Sequence, residues 1–364
     1  MPDVIVVGGG VMGLASAREL RQRGYSVTLL ERAQPGRAAS WASAGIIGAT
    51  LRDEADPNLE LRRLSRQLWP DFAHQIQAES GMDPEYREMG CLQLATNDQE
   101  TARMQSLAKG EQQAQWLDHK AVHELEPALA SDVPGGLLVP GGNVDNRRLC
   151  RALEIASRRA GVNLKTATEV RALTIQSGRV TGVQTEHDTY SADLVVVAAG
   201  AWSSTIDNLA PTPQVRPQRG QILALDQASV GIQRVLLTPG DPYFVPRADG
   251  RLVVGATRED AGWDPSITAG GIAWLLNRAM QVVPRLSGCP IAEIWTGFRP
   301  LSADGLPMIG RGELDGLFLL TGHGPSGIAP LPGSIALLMA LIAGETPPIA
   351  RGPFDPLRFS RRSP

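Results

Sequence analysis

The sequence predicts an α/β protein, α+β overall, in which an antiparallel sheet is inserted into a layered parallel-sheet domain. Three observations predict it. The N-terminus opens as strand, glycine turn, helix and strand. A later run, LVVVAAGAW at residues 194–202, is continuously apolar, as a strand buried on both faces must be. Residues 215–255 carry closely spaced strand signals with turn residues between them. A length of 364 residues with 43% hydrophobic and 20% charged side chains suits a large core in two domains and excludes disorder or a disulfide mini-scaffold.

The elements follow from local chemistry. DVIVV at residues 3–7 is the first strand, Gly8 to Gly13 the turn, and a helix runs from Val11 to about Arg23 before Gly24 stops it and YSVTLLE forms the second strand. Asp56 as N-cap and Pro57 at the first helical position announce a second helix, with Leu64, Leu68, Phe72 and Ile76 as its apolar stripe, a kink at Pro70 near Trp69, and Gly81 as its end. Residues 88–142 are mixed, with a polar helix around 98–115. Asp145 caps a helix that presents Leu149, Ala152, Leu153 and Ala156 on one face and closes at Gly161. Three short strands follow around 169–176, 179–186 and 193–199, with Ser177-Gly178 as the first turn. The inserted sheet takes GQILAL, RVLL, YFVP and RLVVGAT, with Ala248-Asp249-Gly250 turning its last hairpin. A helix at about 268–283, the strands IAEIWTGF and LFLL, a terminal helix and an Arg/Pro-rich surface tail of a dozen residues complete the chain. This organisation assigns 1–85, 141–214 and 293–364 to a discontinuous layered domain, and 86–140 and 215–292 to the domain inserted in it.

Composition removes several function classes. Lys and Arg number 35 against 38 Asp and Glu, a net charge of −3, which attracts neither nucleic acid nor an anionic membrane. Cys91, Cys150 and Cys289 are odd in number and far apart, which fits a reducing compartment rather than a disulfide framework or a zinc site. The opening strand leaves no room for a secretory signal, and the expected location is cytoplasmic. The uncharged run at 326–344 is broken by Pro330, Pro332 and Gly333, so a buried core helix is expected, not a membrane span. His74, His119, His123 and His187 show no ligand spacing, so no metal is expected, and Ser203-Ser204 lacks a GxSxG elbow.

GGGVMG fits the GxGxxG dinucleotide fingerprint, and its context is the required one. Gly8 permits the tight turn, Gly10 lets backbone approach a pyrophosphate, and Gly13 lets helix and strand pack closely. Glu31 ends the second strand, where a carboxylate accepts hydrogen bonds from a ribose diol. The fingerprint alone leaves NAD and FAD both open.

Further motifs occur in a telling order: GRAASWASAGIIG at 36–48, NVDNRRLCRAL, Val170 in its strand, VVVAAGAWS, YFVPRADGRLVVGAT, WTGFRPLSADGLPMIG and GHGPSGI. Together they resemble the D-amino acid oxidase superfamily, in its glycine oxidase branch, over about residues 3–345. The resemblance implies a Rossmann-like FAD-binding domain with an inserted antiparallel-sheet substrate domain, and non-covalent FAD. It implies cofactor contacts from Gly8, Gly10, Val11, Met12, Gly13, Glu31 and Arg32, then from Ala39, Ser40, Ala44, Gly45 and Ile46 past the pyrophosphate and isoalloxazine. Val170 on the adenine side, Gly200, and the loop His323, Gly324, Pro325, Ser326, Gly327 and Ile328 at the ring's O2 side complete the implied set. Arg299 resembles the arginine that holds the substrate carboxylate, a task suited to a two-pronged permanent cation, and Tyr243 the tyrosine that joins it.

The implied enzyme is an FAD-dependent oxidase of glycine, sarcosine and small D-amino acids. A hydride passes from Cα to flavin N5, and 2-oxo acid, ammonia and, with molecular oxygen, hydrogen peroxide are formed. The flavin carries the chemistry, so no catalytic acid–base pair is expected. The family further implies homo-oligomers and a link to thiamine biosynthesis. Two departures stand out: Pro325-Ser326 replaces the usual Arg-Asn pair, and Arg258 follows GAT where an apolar residue is usual. Pointing inward, Arg258 would favour a longer or acidic substrate; otherwise it would form a solvated ion pair with Glu259 or Asp260. Cys289 does not match the position of covalent flavin attachment. Two alternatives remain open: a dehydrogenase of the same fold that serves a non-oxygen acceptor, and a non-catalytic FAD-fold binding protein.

Overall fold

In chain order the elements are β1 (Asp3–Val7), α1 (Val11–Gln22), β2 (Ser26–Leu30), α2 (Ala39–Ala42), β3 (Ile46–Gly48), α3 (Pro57–Ser80), β4 (Cys91–Ala95), α4 (Asp98–Gly110), β5 (Gln115–Asp118), α5 (His119–Leu125), β6 (Gly135–Val139), β7 (Gly141–Asn143) and α6 (Asn146–Arg159). They continue as β8 (Asn163–Lys165), β9 (Val170–Gln176), β10 (Arg179–Thr185), β11 (Thr189–Ser191), β12 (Leu194–Val197), β13 (Val215–Asp226), β14 (Val235–Leu237), β15 (Tyr243–Pro246), β16 (Arg251–Gly255), α7 (Ala269–Val282), β17 (Ile291–Ser302), β18 (Met308–Arg311), β19 (Leu317–Thr321) and α8 (Leu331–Ala343). The structure is a computed structural model that describes residues 3–48, 56–110, 113–209, 213–240 and 242–359.

A six-stranded sheet in the order β18-β19-β12-β1-β2-β8 is parallel except for β18. Strand alternation divides its side chains between two layers. Val4, Val6, Val27, Leu29 and Val196 pack under α1, α3, α6 and α8, while Ile5, Val7, Leu30, Val195 and Val197 meet the three-stranded sheet β11-β10-β9. That double burial explains why these strands read as unbroken apolar runs. The second sheet, β17-β13-β16-β15-β14-β4-β6-β5, is antiparallel except where β14 runs parallel to β4. Its own core gathers Leu92, Leu94, Leu223, Phe244 and Val254 beneath α7.

Several expectations are met by local chemistry. Asp56 caps α3 by accepting from Asn58 N at 2.9 Å, and Gly81 ends the helix in the left-handed region. Asp145 caps α6 through Arg147 N and Arg148 N. Ser177 and Gly178, at φ 49° and 77°, turn the β9–β10 hairpin.

Other expectations are corrected. The buried face of α3 is Leu61, Ser65, Trp69, Ala73, Ile76 and Ser80, so of the predicted stripe only Ile76 is buried, and one helix continues through an exposed Pro70. The polar helix ends at Gly110, and β5 follows it. The GQILAL strand is part of the longer β13, and β11 and β18 are additional short strands. β17 runs through the expected boundary at 293 and pairs with β13 in the second sheet along its length. The terminal segment is anchored: Phe354 is fully buried in the core under the first sheet. Among the described residues, no helix is long and apolar enough to cross a membrane.

Candidate active site

A cavity of about 890 Å³ runs from the β1–α1 turn to the face of the second sheet that is turned away from α7. At the turn, steric demands dictate glycine. A Cβ on Gly8, whose φ is +104°, would lie 2.6 Å from Ala198 O, and one on Gly13 would lie 1.8 Å from Gly8 O. Gly10 is the N-cap of α1 and brings no side chain to it, while Ser40 Oγ accepts from Val11 N at 3.1 Å. Glu31 is fixed by Gly9 N at 2.6 Å and Ala33 N at 2.8 Å. These residues fit a dinucleotide: bare backbone at a helix N-terminus for phosphates, and a pinned carboxylate at the end of β2 for a ribose.

The other end is one face of the second sheet. Residues paired across antiparallel strands share a face. Arg299 pairs with Gln218, Gly297 with Gly220, Ile222 with both Trp295 and Gly255, and Gly255 with Tyr243, so all of these project to the same side. Glycine at three of these positions makes the floor low enough for large polar groups to lie across it. A Cβ on Gly220 would meet Arg299 Nη2 at 2.6 Å, one on Gly255 the Tyr243 hydroxyl at 2.6 Å, and one on Gly297 the Cβ of Ala42 at 2.4 Å. Arg299 Nη1 donates to Thr257 O at 2.9 Å, which fixes one edge of its guanidinium. On the opposite face Glu259 accepts from Arg219, Gln221 and Thr257. Burial opposes the ionised Glu259, but these hydrogen bonds outweigh it and hold the carboxyl below its usual range.

The wall between the two ends comes from Ala39–Ala42 and the loop after β19. Trp295 Nε1 donates to Ala42 O at 3.0 Å, tying the first segment to the sheet. His323 is 8% exposed, its Nε2 lies 3.2 Å from Ser334 Oγ, and burial pushes its pKa down to about 3, so the ring is neutral at physiological pH. The wall therefore gains no cation from this histidine.

Every candidate cofactor- or substrate-binding residue named from the sequence lines this cavity except Gly13, which lies beneath it and serves packing. Arg258 is exposed at the rim of the cavity. Sequence reasoning missed Gln93, Leu237, Arg62, Arg103, Met104 and Trp202, which also line the cavity. Gln93 and Leu237 continue the Tyr243 row through β14 and β4, a placement that only strand register reveals. Among the described residues no group of His, Cys, Asp or Glu is arranged to hold a metal ion.

Residues 3–341 match the FAD dependent oxidoreductase (DAO) family. The glycine oxidase of Pseudomonas aeruginosa is 34% identical over 97% of this chain and 98% of its own. The bifunctional protein ThiO/ThiG of Trichormus variabilis is 36% identical over 99% of this chain and 56% of its own, so the chain spans about half the length of that relative. The crystal structure of glycine oxidase from Geobacillus kaustophilus superposes with a TM-score of 0.92 at 32% identity, covering 98% of each chain.

Proposed function

The chain belongs to the FAD-dependent oxidoreductase family, and from that premise we propose that it oxidises small amino acids, namely glycine, sarcosine and small D-amino acids, to imines that water hydrolyses to the 2-oxo acid and ammonia, or methylamine in the case of sarcosine. Molecular oxygen is the proposed acceptor, with hydrogen peroxide as the second product. The observation that carries this is continuity: one cavity joins the fingerprint turn to a sheet face bearing Arg299 and Tyr243. FAD, when bound, supplies the two-electron acceptor for the Cα–H bond.

The protein's part is to bind and orient. Gly8, Gly10 and Val11, with Glu31 and Ser40, would hold the nucleotide end, and the Ala39–Ile46 stretch with the His323–Ile328 loop would flank the ring. Arg299 offers a planar, permanently charged partner for the substrate carboxylate, and its bond to Thr257 O sets the guanidinium before substrate arrives. The Tyr243 hydroxyl, on the same face, supplies a second contact to that carboxylate. With the carboxylate fixed at two points, Cα and the amine have few orientations left, which is how positioning lowers a barrier without a side-chain acid or base.

Oxygen uptake and peroxide release by the purified yellow protein, with glycine, sarcosine, D-alanine, D-proline, D-glutamate and the L-amino acids, test this. Turnover on glycine, sarcosine or a small D-amino acid, with peroxide matching oxygen consumed, is expected. Reduction of an artificial dye with no oxygen uptake would replace the oxidase by a dehydrogenase, and silence in both assays would defeat amino-acid oxidation.

A further inference from the structure

The buried guanidinium of Arg247 joins the two ends of the cavity. It sits one residue beyond β15, four positions after Tyr243, at the start of the turn that leads into β16; its N–H donates to Arg251 O at 2.8 Å, and Gly250 closes the turn at φ +88°. Its side chain leaves the second sheet and enters the first half of the molecule, where the residue is 8% exposed. There Nη1 donates to Val144 O at 2.8 Å, and Nη2 to Ala44 O at 3.1 Å and Asn146 Oδ1 at 2.8 Å. Asn146, 2% exposed, passes the contact on: its Nδ2 donates to Ser40 O at 2.9 Å and to Trp41 O at 2.7 Å. Ser40 in turn holds Val11 N at the start of α1.

All the acceptors of Arg247's side chain are carbonyl oxygens, of backbone or amide. Nearby Asp145 is committed as the α6 cap. Burying a cation on neutral acceptors is costly, and burial duly lowers its pKa while Asp145 opposes that shift. An apolar side chain would fill the space at less cost in charge but would leave buried carbonyls and the Asn146 amide without donors. What only an arginine supplies here is a rigid fork that spans acceptors on separate segments. Gly45 shows how closely those segments meet: its φ is +66°, and a Cβ there would lie 2.0 Å from Val144 O.

We propose that Arg247 is a positioning residue that, through Asn146, sets the Ser40–Gly45 wall of the cofactor slot in register with the hairpin carrying Tyr243. It does not line the cavity. Removing it lets the wall drift relative to both the α1 turn and the substrate floor, so cofactor retention and substrate KM change together.

The test uses the FAD-loaded full chain. For Arg247→Met, release of flavin on dilution, read by fluorescence, is expected to report a Kd at least tenfold higher than wild type. The visible absorption bands of the remaining bound flavin shift, and KM for the best amino acid rises more than kcat falls. Arg247→Lys, which keeps the charge and part of the reach, recovers some of the lost affinity. Asn146→Ala, which introduces no buried charge, gives a smaller change of the same kind and covers the case where Arg247→Met does not fold. Leu286→Ala, in the core of the second sheet, is the control for simple loss of stability and keeps wild-type flavin affinity. Wild-type Kd and spectrum in Asn146→Ala or folded Arg247→Met, or equal flavin loss in Leu286→Ala, would overturn the role.

Discussion

At the nucleotide end, the cavity is made by five consecutive residues, Gly8 to Met12, underlain by Gly13 and backed by Glu31 and Ser40. At the proposed substrate end, the comparable surface is assembled from Gln93, Gly220, Leu237, Tyr243, Gly255, Gly297 and Arg299. No two of these are adjacent in sequence. The first end depends on backbone shape, where an added methyl meets a carbonyl at 1.8 Å; the second depends on strand register, where glycines clear space for the side chains of other strands. A fixed backbone turn suits a large cofactor whose phosphates look the same in many proteins. A sheet face can change one side chain at a time, which suits discrimination among small substrates.

The contrast predicts that damage at the first end abolishes the holoprotein, whereas damage at the second spares it. Gly13→Val should have the largest effect, on the order of 4 kcal/mol or more, because the intruding group meets backbone that cannot move aside; thermal unfolding and flavin content of the purified protein check it, and a yellow variant of normal stability would break the contrast. Arg299→Ala should keep wild-type flavin content while kcat/KM falls about 100- to 1000-fold, equivalent to about 3–4 kcal/mol of transition-state stabilisation. Gly220→Ala should be milder still, raising KM about tenfold by displacing the Arg299 guanidinium without loss of flavin.

His323 gives a pH test of the wall between the ends. Its folded pKa of about 3 lies below the ordinary 6.5, so between those values the unfolded chain binds a proton that the native protein does not. Stability from this group is complete above pH 6.5 and declines as pH falls towards 3, with a slope of at most about 1.4 kcal/mol per pH unit. Urea unfolding of His323→Gln across that range should show a shallower loss than wild type. The smallest effect is expected at the rim, where Arg258→Met should lower the preference for D-glutamate over D-alanine a few-fold, as measured by the ratio of their kcat/KM values.

The legible parts of the molecule are those whose cause is local. Asp56, Asp145 and the Ser177-Gly178 turn each act within three residues, and Gly13 of the fingerprint meets Gly8 O, a partner that the strand–turn–helix pattern already brings to it. On α3 the buried face lies one position beyond the apolar Leu64, Leu68 and Phe72, at Ser65, Trp69 and Ala73, and at Ser65 the neighbour is Gly333, which approaches so closely that its N–H donates to Ser65 Oγ at 2.9 Å. An apolar pattern does not mark a buried serine. Arg299 and Tyr243 were reached through motif resemblance, but the low floor under them was not, since Gly220 and Gly255 gain their meaning only when β13 and β15 lie beside β17 and β16. Arg247 was hidden for the same reason: its partners are about 100 and 200 residues away in sequence. Phe354 and Pro356 are buried, and Phe359 packs on the core, in a stretch whose Arg and Pro content suggests a free tail.

The most direct measurement is anaerobic titration of the yellow protein with glycine, sarcosine and D-alanine, followed by the visible absorption of the flavin, in wild type and Arg299→Ala. Bleaching of wild type by at least one of these, with Arg299→Ala retaining its flavin but bleaching at least 100-fold more slowly, is predicted. A wild-type flavin that none of them reduces, or an Arg299→Ala protein that bleaches as fast as wild type, would contradict the substrate floor as the site of amino-acid oxidation.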